Sequence, residues 1–317
     1  MTEQAYSMQS VHLKGFSPEQ LIDAVRGARF EHYILSHGKC ESRLEHWSLG
    51  DFSADVGDYD FPVRVVGAMA RGRLCIGYMR RQSAPTWVNG LRADRTTMEF
   101  YPSGTELNYC AAPGGQWVAV GFAESSLQAA ACERLGHEVE IPWEHVTNFH
   151  LPEERRGELD RMVSRLWNHP ISGALMVAPI LGAIAEIFHE QSRKSLKEET
   201  RMSKSQHREM LLRRSDEYLQ SNLDSPFQIE ALAFATGATT RTLQRVFNEA
   251  YGVTPQKWAR CLSLHRARQY LQGVAVEGTT VEEIARRCGF RHIGRFAEYY
   301  HELFDELPSV TRRRKAK

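Results

Sequence analysis

Along this chain of 317 residues the spacing of apolar positions changes from strand-like to helix-like. From about Ser42 to Glu124, short runs such as FPVRVVGAM, RLCIGYM, TTMEFY and QWVAVGF are rich in β-branched and aromatic residues. Gly, Pro, Asn and Asp separate them in VGDYD, SAPTWVNG, YPSGTEL and AAPGG. This pattern predicts several strands joined by turns, hence a small barrel or sandwich. The residues ahead of it read as a loose start followed by SPEQLIDAVRGA, a short helix over Ser17–Ala28 capped by Ser17 with Pro18 in its first turn. SSLQAAACERLG predicts another helix over Ser125–Gly136.

The helical period then takes over. PEERRGELDRMVSRLWNH (Pro152–His169) and SGALMVAPILGAIAEIFHEQSRK (Ser172–Lys194) both carry it. The second is apolar on most sides despite Pro179 and Gly182, so it needs a partner, either the strands or another copy of itself. QSRKSLKEETRMSKSQ (Gln191–Gln206) has almost no large apolar residues and reads as a linker. From His207 onward a series of helices is expected, closing on the basic stretch TRRRKAK, which reads as a solvated terminus.

Within that series the pattern repeats. EALAFATG (Glu230–Gly237) aligns with EEIARRCG (Glu282–Gly289), pairing Ala233 with Ala285 and Gly237 with Gly289. Beyond the glycines the offset grows by one residue. Leu243 pairs with Phe296, Phe247 with Tyr300, Tyr251 with Phe304 and Pro255 with Pro308. Each copy is a helix, a glycine turn, a second helix with aromatic anchors, and a proline. A small alanine lets the second helix cross the first closely, and the glycine supplies a turn conformation that other residues resist. Thr254-Pro255 reads as an N-cap and first helical position. Two helices joined by a short turn, the second with a polar outer face, form a helix-turn-helix. On the second helix of the first copy, Arg241, Gln244 and Arg245 stand at i, i+3 and i+4, opposite Leu243, Val246 and Phe247.

Charge sharpens this picture. The chain holds 40 Lys+Arg and 39 Asp+Glu. Residues 1–200 carry 20 basic against 26 acidic side chains, a net of −6, and residues 201–317 carry 20 against 13, a net of +7. A basic back half joined to an acidic front suggests a polyanion-binding module attached to something else. No apolar run approaches the roughly 20 residues of a membrane span. The start MTEQAYSMQS lacks the pattern of a signal peptide, so a cytoplasmic protein with no membrane partner is expected.

The double motif, in IEALAFATGATTRTLQRVFNEAYGVTPQKWARCLSLHRARQYL and TVEEIARRCGF…GRFAEYYHELFDELPS, resembles the DNA-binding domain of the AraC/XylS transcription regulators. The resemblance covers roughly residues 212–313. It implies an α+β multidomain protein: a β-rich, cupin-like effector domain over 1–150, a helical connector over 151–205, and an all-α domain over 206–317 with two helix-turn-helix units. It further implies that each second helix enters a major groove of double-stranded DNA, using two successive grooves. RNA polymerase, a small-molecule effector and a second copy of the chain are the other partners it implies. Arg241, Gln244 and Arg245 fall where base edges or phosphates are met. Arginine can hold a guanine edge with two donors and glutamine can pair with adenine. Thr239 and Thr240 sit at the helix start, where hydroxyls and free N–H groups suit phosphate oxygens. In the second unit the matching positions are Gly294, Ala297 and Glu298, leaving Arg291, His292, Ile293 and Arg295 as contacts. Asymmetric reading follows, with base specificity from the first unit and positioning from the second.

For the effector, Trp47, Arg64, Tyr78, Arg80, Trp87 and Tyr109 are the candidate contacts, the arginines as handles for a carboxylate. No HxH pair or clustered His/Glu set suggests a metal, and no G-x-S-x-G, Walker or Rossmann glycine signature suggests an enzyme or a cofactor. His37, His46, His137, His145 and His150 read as surface or satisfied core residues. The six cysteines are scattered with no CxxC, as small buried hydrophobes are. Two other readings stay open: a constitutive regulator whose front domain only dimerises, and a DNA repair enzyme using Cys40 or Cys110 as nucleophile.

Overall fold

The computed structural model describes residues 6–16, 18–35, 40–84, 86–143, 146–168, 174–195, 204–274 and 279–315. Its front half is built from strands β1 (Ser7–Lys14), β2 (Arg29–Ile34), β3 (Glu41–Leu49), β4 (Phe52–Tyr59), β5 (Val63–Ala68), β6 (Leu74–Arg81), β7 (Thr86–Val88), β8 (Leu91–Ala93), β9 (Thr97–Tyr101), β10 (Glu106–Ala111), β11 (Gly115–Phe122) and β12 (Thr147–His150). They form two antiparallel sheets, one in the order β1-β3-β4-β11-β6-β9-β12 and the other β2-β5-β10-β7-β8. The central strands β6 and β11 alternate side chains between two apolar environments, and so read as nearly continuous hydrophobic runs. Gly57 on β4 is required by close approach: a Cβ there would lie 2.2 Å from the Trp117 ring.

Each face of this β structure has its own core. Side chains between the sheets, among them Phe30, Tyr59, Val65, Tyr101 and Leu107, form one cluster. On the outer side of the larger sheet, Trp47, Phe52, Phe100 and Phe122 pack under three helices, α1 (Glu124–Leu135), α2 (Glu153–Asn168) and α3 (Val177–Ser195). Helix α3 contributes Ile180, Ile184 and Phe188, so its apolar length is covered by its own chain.

The remaining helices are α4 (Lys204–Ser221), α5 (Ile229–Thr236), α6 (Thr240–Tyr251), α7 (Pro255–Gln269), α8 (Val281–Arg287), α9 (Ile293–Phe304) and α10 (Pro308–Lys315). They lie against the smaller sheet. Tyr33, Leu35 and Cys110 share a cluster with α4–α7, while the core between the sheets runs on into α7, α8 and α9. Helix α7 touches β2 directly: the buried His265 Nε2 lies 3.3 Å from the Ile34 carbonyl oxygen. Burial pulls His265 down to about 3, so the ring is neutral and Nε2–H donates.

Several local expectations differ from the structure. Residues 7–14 are an edge strand rather than loose chain, because β3 offers them a full antiparallel register. No α-helix forms over Ser17–Ala28, and Ser17 lies outside the described residues. Only Pro18–Gln20 is a helical turn. Gly27 takes φ +78°, the Arg26 N–H is captured by Asp55 at 3.0 Å, and the Phe30 N–H by Ile22. The segment Ser172–Lys194 opens with a tight turn at Ala174–Met176 before α3, its first residues being outside those described. Both ends of the expected linker, 191–195 and 204–206, are helical, and its middle lies outside the described residues. The tail is helical to Lys315, because buried Thr311 bonds Tyr300 and Glu306. Cys132 is exposed, whereas the other five cysteines are buried.

Candidate nucleic-acid interface

Helix α6 is divided cleanly by its sequence. Leu243, Val246, Phe247, Ala250 and Tyr251 are buried, and Arg241, Gln244, Arg245 and Asn248 are exposed. Asn248, at i+7 from Arg241, extends the polar face by one turn. It is legible from spacing alone, yet the sequence reading passed over it. Thr239 is the N-cap: its hydroxyl accepts from the Thr242 N–H at 3.1 Å. Thr240 follows, half-buried in the first turn. Gly237, at φ +67°, turns the chain between α5 and α6. The aromatic anchor continues into α7, with Phe247 edge-on to Tyr251 and Tyr251 stacked on Trp258 at 4.9 Å.

The polar face is sparsely tied down. Arg245 reaches Glu249 at 3.3 Å on its own helix with its side chain 61% exposed, a pairing that a phosphate or base edge can displace. Arg208 on α4 also approaches Glu249, at 3.5 Å. Thr239, Thr240, Arg241, Gln244 and Arg245 thus share one helix start and one exposed face.

Helix α9 has the same anchor. Phe296 and Tyr300 are fully buried and Leu303 nearly so. Its outer positions differ: Arg291, His292, Gly294, Arg295 and Glu298 are exposed and Ile293 is half-buried. His292 is the N-cap but makes no capping bond through its side chain. Arg291, His292, Ile293 and Arg295 therefore gather at the first turn of α9, whereas the α6 set spreads over two turns. A Cβ at Gly294 would meet nothing within 4 Å, so the small residue there is not required by packing. Between α8 and α9, Gly289 at φ +79° approaches the chain closely, a Cβ there lying 2.7 Å from the Ser225 carbonyl oxygen.

The six residues expected at an effector are not brought together. Trp47 is buried beside Phe52 in the core under the helices. Arg80 donates to Asp160 on α2 at 2.6 Å, and the Tyr78 hydroxyl reaches the same carboxylate at 3.2 Å. Trp87 stacks beneath the Arg208 guanidinium, 4.9 Å from its ring centre. Arg64 is buried against Asp216 on α4. Tyr109 borders a cavity of about 60 Å³ between the two sheets, where Tyr78 also contributes wall. Phe30, Tyr59, Tyr101, Trp117 and Glu99 are also in its lining, which contains no Lys, Arg or His. Glu99 is 4% exposed and burial pushes its carboxyl up to about 8. Sequence reasoning missed it because a lone Glu in a strand signals nothing until the pleat turns it inward.

The cysteines named for repair chemistry are poor nucleophiles here. Burial pushes Cys40 up to about 11 and Cys110 higher still, which keeps both as thiols at neutral pH. Among the described residues, no group of three or more His, Cys, Asp or Glu could hold a metal ion. No helix among them is long and apolar enough to cross a membrane.

Several known proteins resemble the back third of this chain. Residues 232–314 match the family described as "Helix-turn-helix domain". The XylDLEGF operon transcriptional activator of Pseudomonas putida is 35% identical over 97 residues, 31% of this chain and 30% of that protein. The probable thc operon regulatory protein of Rhodococcus erythropolis is 32% identical over 99 residues, again 31% and 30%. The chain therefore matches about a third of the length of these relatives. Among solved structures, a probable AraC family transcriptional regulator from Rhodopseudomonas palustris is 34% identical, covering 33% of this chain and 96% of that one, with a TM-score of 0.31.

Proposed function

We propose that this chain, whose back third is a helix-turn-helix domain of the AraC/XylS type, is a sequence-specific DNA-binding transcription regulator. The observation that carries the reading is the exposed Arg241–Gln244–Arg245 face on a helix locked from behind by Phe247 and Tyr251. Rigid placement of guanidinium and amide groups is what major-groove recognition demands. Two helix-turn-helix units, α5–α6 and α8–α9, present their second helices to successive grooves. The first supplies base discrimination. The second, with Arg291, His292, Ile293 and Arg295 at one helix start, grips phosphates and positions the protein.

The domain reading is 1–150 for a cupin-like effector part, 151–205 for the connector and 206–317 for DNA binding. We place the effector at the cavity between the sheets, which at about 60 Å³ must widen on binding to admit more than a few heavy atoms. Its single carboxylate and aromatic walls, with no basic side chain in the lining, favour an uncharged or cationic small molecule over the carboxylate that the arginines suggested. Effector occupancy shifts the balance between states that bind the operator, or RNA polymerase, differently. The protein acts as an activator in the cytoplasm, as a homodimer.

Enrichment of random duplex DNA by the full-length protein, followed by titration of single-base operator variants, tests the reading. Arg245→Ala is expected to lose about 1–3 kcal/mol of discrimination at one base position. Arg295→Ala is expected to weaken all sequences alike and to lower the salt dependence by about one counterion. If Arg295→Ala relaxes base preference while Arg245→Ala weakens every site equally, the assignment of the two units is wrong.

A further inference from the structure

The smaller sheet and the first reading unit meet on one carboxylate. Asp216, near the middle of α4, is 8% exposed. From the sheet it accepts hydrogen bonds from Arg64 Nη2 on β5 and, at 3.0 Å, from Asn108 Nδ2 on β10. From the other side it accepts from the Tyr251 hydroxyl, the last residue of α6, at 3.3 Å, and from Trp258 Nε1 on α7 at 3.1 Å. The Arg64 guanidinium is itself buried, with its carbon 4.5 Å from the Trp258 ring centre, and its Nε donates to Asn108 at 2.9 Å.

We propose that Asp216 is a positioning residue for DNA reading, through which the β structure sets the placement of α6. This rests on the proposed role of α6 as a base-reading helix. Tyr251 and Trp258 are the aromatic anchor that orients α6 from behind, and both hand their polar hydrogen to Asp216. The same carboxylate is held from the sheet side by Arg64 and Asn108. A buried ion pair of this kind is either made or broken, because a half-made one leaves a charge without a partner in an apolar setting. The position of α6 is therefore coupled to β5 and β10 in discrete steps rather than by gradual flexing.

The strands that hold Asp216 also wall the cavity. Alternation along β5 turns Arg64 toward α4, while its neighbour Val65 lines the cavity. On β10, Asn108 reaches Asp216, whereas Leu107 and Tyr109 line the cavity. Tyr109 faces Val65 across the two strands, and Cys110 faces Arg64. Whatever occupies the cavity thus presses on the backbone that carries the Asp216 partners, one sheet thickness away from them.

The test uses the full chain and the duplex that the wild type enriches, with no effector required. Arg64→Gln and Asn108→Ala lie in the β structure, outside the helices that face DNA. Each is expected to reduce base discrimination at the half-site that Arg245→Ala identifies, by roughly tenfold for Arg64→Gln and less for Asn108→Ala. Discrimination at the other half-site stays within about twofold, and Asp216→Asn shows the same one-sided loss. Asn108→Ala keeps the Arg64–Asp216 charge pair and is the variant to rely on if Arg64→Gln does not fold. A lowered Tm with unchanged discrimination at both half-sites, or an equal loss at both, overturns the proposal and leaves the network a structural tie only. Failure of the wild type to enrich any sequence overturns the DNA-reading account itself, a different outcome from enrichment followed by indifferent variants.

Discussion

Glu99 shows how far a single residue escapes a sequence reading. Its neighbours in TTMEFY gave a strand, and the period-two alternation of that strand was legible. Which face turns inward depends on the second sheet, whose strands come from positions as distant as Phe30 and Leu107. The folded carboxyl titrates at about 8 against an ordinary 4.5, through burial. Since the unfolded chain gives up its proton first, the folded state loses stability as pH rises from about 4.5 to about 8, and no further above that. Glu99→Gln removes this loss. The variant is expected to gain on the wild type across that window, by up to about 4 kcal/mol at pH 8. Urea unfolding of both proteins at several pH values measures it, and parallel stability curves would contradict it. The exposed face of α6 lay at the opposite extreme. Helical spacing alone put Arg241, Gln244 and Arg245 together on it, because a surface face depends only on its own helix. The placement of Arg64 was illegible for the converse reason. Its partners Asn108, Asp216 and Trp258 are scattered through the chain, so no local pattern announces them.

At the scale of elements, the 52-residue echo located both helix pairs, and their glycine turns stand where it placed them. What the echo could not convey is that the two turns carry different loads. Gly237 sits at φ +67° with nothing within 4 Å of a Cβ, so alanine there costs about 1 kcal/mol of left-handed strain. Gly289 sits at φ +79° with the Ser225 carbonyl oxygen 2.7 Å from the same point, and neither backbone can yield cheaply. Gly289→Ala is expected to destabilise by about 3 kcal/mol or more, well beyond Gly237→Ala. Chemical denaturation of the two variants checks this, and equal losses would mean that the second turn is not pinned. The helix expected over Ser17–Ala28 failed for a comparable reason. Local capping signals were present, but Asp55 and Ile22 take the Arg26 and Phe30 N–H groups, and Gly27 turns the chain away. Tertiary bonds outweighed a short helix whose propensity is worth little alone.

Across the whole molecule, the acidic front and basic back suggested two bodies joined by a linker. The structure has them sharing cores: Tyr33 and Leu35 pack with Leu243 and Trp258, and Phe16 reaches Phe304 and His265. That shared packing leaves the outer faces of α6 and α9 open while fixing their backs, the arrangement that a two-groove reader needs. Charge arithmetic could not reveal it, since the contact surfaces are mostly apolar and the buried Arg64–Asp216 pair cancels. The central claim is that α6 and α9 occupy successive major grooves with unequal roles. Hydroxyl-radical footprinting on the enriched duplex tests it most directly. Two protected tracts about one helical turn apart on a single DNA face are predicted. Arg245→Ala should relax the sequence requirement of one tract, and Arg295→Ala should weaken protection without altering it. A single short tract, or protection that ignores sequence and vanishes with modest salt, would contradict it.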